Sequence, residues 1–199
     1  GRPAMPAHYF DPVPRVASDR RTVELALPDL AAVLHTDRGV FSADRIDPGT
    51  KLLLLEAPAP PPAGDLLDLG CGYGAIAVAV ALRAPASRVW AVDVNERALE
   101  LSRENAAATG AANVTVASPD VVPSHVRFAA CYSNPPIRVG KAALHAMLKV
   151  WVPRSEVAYL VVNRNLGSDS LASWMADQNG WGVKRLVSRM GYRVLAVTP

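Results

Sequence analysis

Asp68-Leu69-Gly70-Cys71-Gly72-Tyr73-Gly74 decides how this chain is read. It follows the apolar pair Leu66-Leu67 and precedes an alanine-rich apolar segment over residues 75–82, so the order is strand, glycine turn, helix. Glycine at alternate positions removes three Cβ atoms, which opens positive φ and lets a ligand approach the backbone. The N–H groups that open the helix are expected to face that ligand. A second β-rich run, residues 88–92, ends in Asp93. An acid at the end of the second strand is placed to hold two ribose hydroxyls. The G-x-G-x-G spacing differs from the G-x-G-x-x-G dinucleotide fingerprint. Asp68, just ahead of the turn, suits a cationic ligand better than a pyrophosphate. The pattern marks a nucleoside-cofactor site.

This turn resembles the first motif of class I S-adenosylmethionine (SAM) dependent methyltransferases. The resemblance implies SAM as cofactor, bound by Asp68, Gly70, Cys71, Gly72, Gly74, Asp93 and Val94. A second chemical signal is Asn134-Pro135-Pro136-Ile137, which follows an apolar run over residues 127–133. In an open α/β sheet, ligands bind beyond the carboxyl ends of the strands, which puts Asn134 beside the glycine turn and Asp93. The residue types suit one task. A nucleobase exocyclic amine is a poor nucleophile, because its lone pair is delocalised into the ring. An Asn134 amide oxygen can accept one N–H and the Pro135 carbonyl the other. Proline stiffens such a turn and carries no competing N–H. Asn134, Pro135 and Pro136 are therefore the candidate catalytic residues, with Asn134 also on the cofactor rim.

Around these motifs the chain of 199 residues is 50% hydrophobic and 20% charged, enough for one globular α/β domain with a short extension. A net charge of +3 is compatible with nucleic acid but shared by many proteins without such a partner. Cys71 and Cys131 fall in segments expected to be buried and show no metal spacing, which fits a reducing cytoplasm. No metal site is expected from the histidines, and no apolar run is long enough to span a membrane. His8-Tyr9-Phe10 is expected to anchor the N-terminus. Residues 23–27 alternate as a half-buried strand, residues 31–35 return as its hairpin partner, and Val40-Phe41 extends that return. Asp47 caps a helix that starts at Pro48 and runs to about residue 57. Prolines over residues 58–62 stop it.

From Asp65 onward strands and helices alternate. Asn95 caps a helix that Gly110 ends, strands follow near 113–117 and 127–133, and residues 141–150 are helical. A buried strand spans 157–162, Ser168 caps a helix that Gly180 ends, and two final strands lie on either side of Gly191. The expected fold is α/β: a Rossmann-like sheet, mostly parallel with a late antiparallel strand, plus an N-terminal β extension. Residues 1–57 form the extension and residues 58–199 the SAM-dependent core, in one structural domain.

Five stretches carry a narrower resemblance: Gly39-Val40-Phe41-Ser42 followed by Asp47-Pro48-Gly49-Thr50, then the glycine turn, Asp93-Val94-Asn95, and residues 134–141. Together they make the chain similar to the methyltransferase small domain of small-subunit ribosomal RNA guanine-N2 methyltransferases. That resemblance implies methylation of a guanine amine in ribosomal RNA or in the small ribosomal subunit. It also implies that Asp120 meets the adenine amine of SAM, while Ile137, Arg138 and Lys141 flank the target pocket. Better-known members carry a second, degenerate copy of the domain ahead of the catalytic one, which 199 residues are too few to hold. Many amino-methyltransferases place an aromatic after Asn-Pro-Pro to stack on the base; here the residue is Ile137. Adenine in DNA or RNA, or a glutamine amide in a protein release factor, presents the same kind of planar nitrogen. An inactive SAM-fold module that binds RNA is the reading outside enzymes.

Overall fold

The computed structural model describes residues 16–199, so His8, Tyr9 and Phe10 lie outside the described residues. β1 (Arg21–Ala26) and β2 (Ala31–Thr36) pair antiparallel, with Arg21 opposite Thr36 and Ala26 opposite Ala31. Alternation sorts their faces: Val23, Leu25 and Leu34 are buried, while Thr22 and Glu24 face water. Val40 and Phe41 do not prolong β2 as expected. Asp37 Oδ1 accepts the Arg38 N–H at 2.7 Å, and Gly39 takes φ 84°, which turns the chain before the ladder can continue. α1 (Pro48–Glu56) starts as its residues predict, with Asp47 accepting the Thr50 N–H at 2.9 Å and Pro in the first turn.

The main sheet contains β3 (Asp65–Leu69), β4 (Val89–Val92), β5 (Val114–Ala117), β6 (Phe128–Ser133), β7 (Ala158–Asn163), β8 (Gly182–Arg189) and β9 (Tyr192–Thr198). Their spatial order is β5-β4-β3-β6-β7-β9-β8. Pairing is parallel from β5 through β7 and antiparallel where β9 meets β7 and β8. β8 and β9 form a hairpin whose turn, Met190-Gly191, holds φ of 53° and 79°, the left-handed pair that matches strand twist. α2 (Ala75–Arg83), α3 (Glu96–Thr109), α4 (Lys141–Trp151) and α5 (Ser168–Asn179) make the connections. One core holds the hairpin, α1, α2 and α3 on one face of the sheet; the other holds α4 and α5 on the opposite face. Both faces of the sheet are covered, which explains why β4 is a continuous apolar run rather than an alternating one.

Helix ends follow the sequence with one correction. Asn95 caps α3 through the Ala98 N–H at 3.1 Å, and Gly110 ends it at φ 77°. Ser168 does not cap α5. Asn163 first closes a 3-10 turn over Arg164–Leu166 by accepting the Asn165 N–H, and Gly167 at φ 103° takes the cap position. Ser168 becomes the first helical residue and is buried. Among the described residues, no helix is long and apolar enough to cross a membrane, and no group of three or more His, Cys, Asp or Glu could hold a metal.

The extension is clasped to the core by polar side chains. Asn105 of α3, fully buried, accepts the His35 N–H at 2.7 Å and donates to the carbonyls of His35 at 2.9 Å and Tyr73 at 2.7 Å. It therefore ties the hairpin to the glycine turn itself, at Tyr73. Arg83 holds Asp29 through two bonds, at 2.8 and 2.9 Å, and the Leu54 carbonyl at 2.7 Å. A bidentate pair of this kind fixes geometry as well as distance.

Candidate active site

From β3 the strands step outward through β4 to β5, then resume on the other side of β3 with β6. The order reverses between β3 and β6, and a crevice opens at their carboxyl ends. Ser133 at the end of β6 donates to the Leu69 carbonyl at 2.7 Å and locks the two ends together. The glycine turn leaves β3 here, with Gly70, Gly72 and Gly74 at φ 73°, 55° and 94°. Four of its N–H groups are engaged within the protein. Gly70 and Cys71 donate to Val92, Gly74 to Cys71, and Gly72 to Asp93 Oδ2 at 2.9 Å. What the turn offers a ligand is open backbone. A Cβ at Gly72 would meet nothing within 4 Å, whereas one at Gly74 would stand 3.1 Å from Ser102 Oγ on α3. Gly74 thus serves packing and Gly72 serves access.

The two carboxylates differ in role. Asp68 is buried beneath α2, where Oδ2 accepts the Ala77 N–H at 2.9 Å and Oδ1 has no partner. Burial pushes its carboxyl up to about 8, against the Ala77 hydrogen bond and with the nearby Asp93 charge adding to the rise. It supports the helix from below and does not line either cavity at the rim. Asp93 ends β4 with Oδ1 accepting the Asn95 N–H at 3.0 Å. Burial raises it to about 6, opposed by the N–H groups of Asn95, Gly72 and Val94. Val94 is half-buried beside it, and Asp120 is exposed in the 3-10 turn after β5. Cys71 is buried with Sγ 3.3 Å from Ser102 Oγ.

Two cavities meet at Asn134. The first runs along Gly70, Cys71, Gly72, Tyr73, Ala75 and Ile76. The second, of about 190 Å³, is lined by Pro135, Pro136, Ile137, Arg138 and Val139 with Asn163, Leu166 and Tyr192. Asn134, Asp47 and Phe41 line both, so Asn134 stands in the wall between them. Its Nδ2 donates to Asp47 Oδ2 at 2.9 Å and to Thr50 Oγ1 at 3.0 Å. The Pro135 carbonyl accepts the Ile137 N–H at 2.9 Å, which leaves it one lone pair for a ligand. Lys141 opens α4, exposed and outside the cavity lining. Phe41, Asp47, Thr50, Leu166 and Tyr192 are absent from the residues singled out by sequence as site residues. Only Phe41, Asp47 and Thr50 left a trace, inside the two N-terminal stretches that carry the family resemblance.

The model of the methyltransferase small domain matches residues 31–195. The chain belongs to the methyltransferase small domain family. Among relatives of this family, YbxB of Bacillus subtilis, an uncharacterized protein, is 35% identical over 172 residues, 83% of this chain and 86% of that protein. Ribosomal RNA small subunit methyltransferase C of Aeromonas hydrophila is 35% identical over 139 residues, 70% of this chain but 37% of the relative. The T. thermophilus 16S rRNA N2 methyltransferase (RsmC), solved in complex with AdoMet and guanosine, superimposes with a TM-score of 0.76 at 26% identity. That match covers 93% of this chain and 52% of the other, so the chain spans about half the length, or less, of relatives with a named activity. The sheet order and the parallel run from β5 to β7 are those of a Rossmann-like methyltransferase fold.

Proposed function

We propose that this chain is a SAM-dependent methyltransferase that modifies an exocyclic amine, guanine N2 of small-subunit ribosomal RNA. The observation that carries the reading is Asn134, which walls two cavities at once and has its amide nitrogen already engaged. The first cavity fits the cofactor: open backbone at Gly72 admits a ligand, and Asp93, behind the lining, holds the Gly72 N–H at the strand end where a ribose lies. When bound, SAM supplies a methyl group activated by a sulfonium. Every other requirement falls on residues of this chain.

The target amine has to be oriented, desolvated and held. Asn134 Oδ1 accepts one of its N–H groups, and the free lone pair of the Pro135 carbonyl accepts the other. Buried Pro135 and Pro136 keep that pair of acceptors rigid. Orientation of this kind contributes up to about 7–11 kcal/mol in favourable cases. Ile137 offers only aliphatic surface, and the aromatic surface at the mouth comes from Phe41, 50% exposed, and from Tyr192. Both lie where a base turned out of its stack would enter. Arg138 lines the same mouth, and Arg164 is exposed next to Asn163. Phosphate contacts through such cations position RNA without choosing the base. Guanine in ribosomal RNA is favoured over adenine or a glutamine amide by the kinship with ribosomal RNA small subunit methyltransferase C.

Incubation with methyl-labelled SAM and, separately, ribosomal RNA, small subunits, DNA and a release-factor peptide tests the substrate class. Label is expected in RNA or subunits, with a rate that falls as salt rises. Label confined to DNA or peptide overturns the RNA reading, and absence of transfer to all four favours a binding module.

A further inference from the structure

Asn134 does not set its own amide. Its nitrogen faces Asp47 Oδ2 at 2.9 Å and Thr50 Oγ1 at 3.0 Å. A carboxylate only accepts, so a carboxamide against it must present its N–H₂ and turn its oxygen away, whichever orientation it would otherwise take. Asp47 is itself fixed, because the same Oδ2 accepts the Thr50 N–H at 2.9 Å as the cap of α1. The start of α1 is in turn pressed against β9. A Cβ at Gly49 would stand 2.7 Å from Tyr192 Cε1 and 2.9 Å from Asp47 Oδ2, so only glycine lets Asp47 come this close. Residues 47 and 134 are far apart in sequence, and this contact joins the N-terminal extension to the reacting end of β6.

We infer that Asp47, seconded by Thr50, is a positioning residue that fixes the polarity of the Asn134 amide and so leaves its oxygen as the acceptor for the target. The inference rests on Asn134 being the residue that receives the target amine. A site with this polarity receives a nitrogen that carries hydrogen and offers nothing to a ring nitrogen that can only accept. The helix cap is the device that carries the constraint, since one carboxylate oxygen serves α1 and Asn134 together.

Three variants separate positioning from capping. Asp47→Ser keeps a good N-cap but withdraws the carboxylate from Asn134. Asp47→Asn keeps both a cap and an oxygen able to accept from Asn134. Thr50→Val removes only the second acceptor. Single-turnover rate at saturating SAM and RNA is expected to fall about 10- to 100-fold in Asp47→Ser, the scale of a small misplacement in the reacting geometry. Asp47→Asn recovers most of the rate, Thr50→Val loses several-fold, and Tm stays near wild type in all three; saturating SAM removes any change in cofactor affinity, since Asp47 and Thr50 also line the first cavity. A role limited to the cap predicts equal, near wild-type rates for Ser and Asn, because both cap well. Wild-type turnover in Asp47→Ser, or a defect confined to the KM for SAM, overturns the inference. Wild-type turnover in Asn134→Ala overturns instead the reading of the site on which it rests.

Discussion

At the scale of single residues, the proposed reaction divides its work between Asn134, toward the target, and Asp93, toward the cofactor. Asn134→Ala should slow single-turnover methylation by about 100-fold or more while calorimetry finds SAM affinity nearly unchanged, since the proposed contact to the target acts mainly in the transition state. Asp93→Ala should do the reverse, weakening SAM by about 1.5–3 kcal/mol, the worth of a hydrogen bond to a charged group. Asp93 also sets a pH dependence. Burial holds its carboxyl at about 6, so it protonates as pH falls through that value and stops accepting from both ribose hydroxyls. SAM affinity should therefore fall between pH 7 and pH 5, and a titration by calorimetry that stays flat would remove Asp93 from the ribose site. Both residues were legible in sequence because each closes a strand that precedes a turn. Asp47 was legible only as a helix cap: its second partner lies across the fold, and no local pattern announces a long-range hydrogen bond.

At the scale of elements, the loop after β2 and the start of α1 form one side of the two cavities at Asn134. Gly49 shows why. Its missing Cβ makes room for the Tyr192 ring, and Ala at this position has to displace either the ring or Asp47. Gly49→Ala should cost about 1–3 kcal/mol of stability, in the range of overpacking elsewhere, and lower turnover through Asp47. Denaturant unfolding alongside activity measures both, and an unchanged midpoint would show that α1 can shift without cost. Caps and turns explain which element boundaries could be read in advance. Asp47-Pro48, Asn95 and Gly110 each act through their own backbone or that of near neighbours, so local chemistry was sufficient. Val40-Phe41 and Ser168 were misjudged because Asp37 and Asn163 close side-chain turns just before them. Apolar pattern at 40–41 and a serine at 168 suggested a strand and a cap, and the turns took precedence.

At the scale of the whole molecule, the alternation of strands and helices made the parallel sheet legible, and the closeness of the last two strands, on either side of Gly191, made the final hairpin so. The place of β9 between β7 and β8 was not legible, because strand order depends on packing between distant segments rather than on local pattern. Asp68 links the fold to pH. Its folded carboxyl stands at about 8, above the ordinary value of about 3.9, so the folded state holds a proton that the unfolded chain releases. Its contribution is fully present below about pH 4 and is lost as pH rises toward 8. Thermal unfolding of the ligand-free protein should show Tm declining over that window more steeply in wild type than in Asp68→Asn, and parallel slopes would contradict a protonated Asp68. The chemistry proposed for the molecule turns on whether the cavity beside Asn134 takes a guanine amine. The most direct measurement is nucleoside analysis by mass spectrometry of ribosomal RNA and small subunits after reaction with methyl-labelled SAM. Label is expected in N2-methylguanosine; label confined to N6-methyladenosine, or transfer only to a glutamine side chain, would rule out guanine as the target.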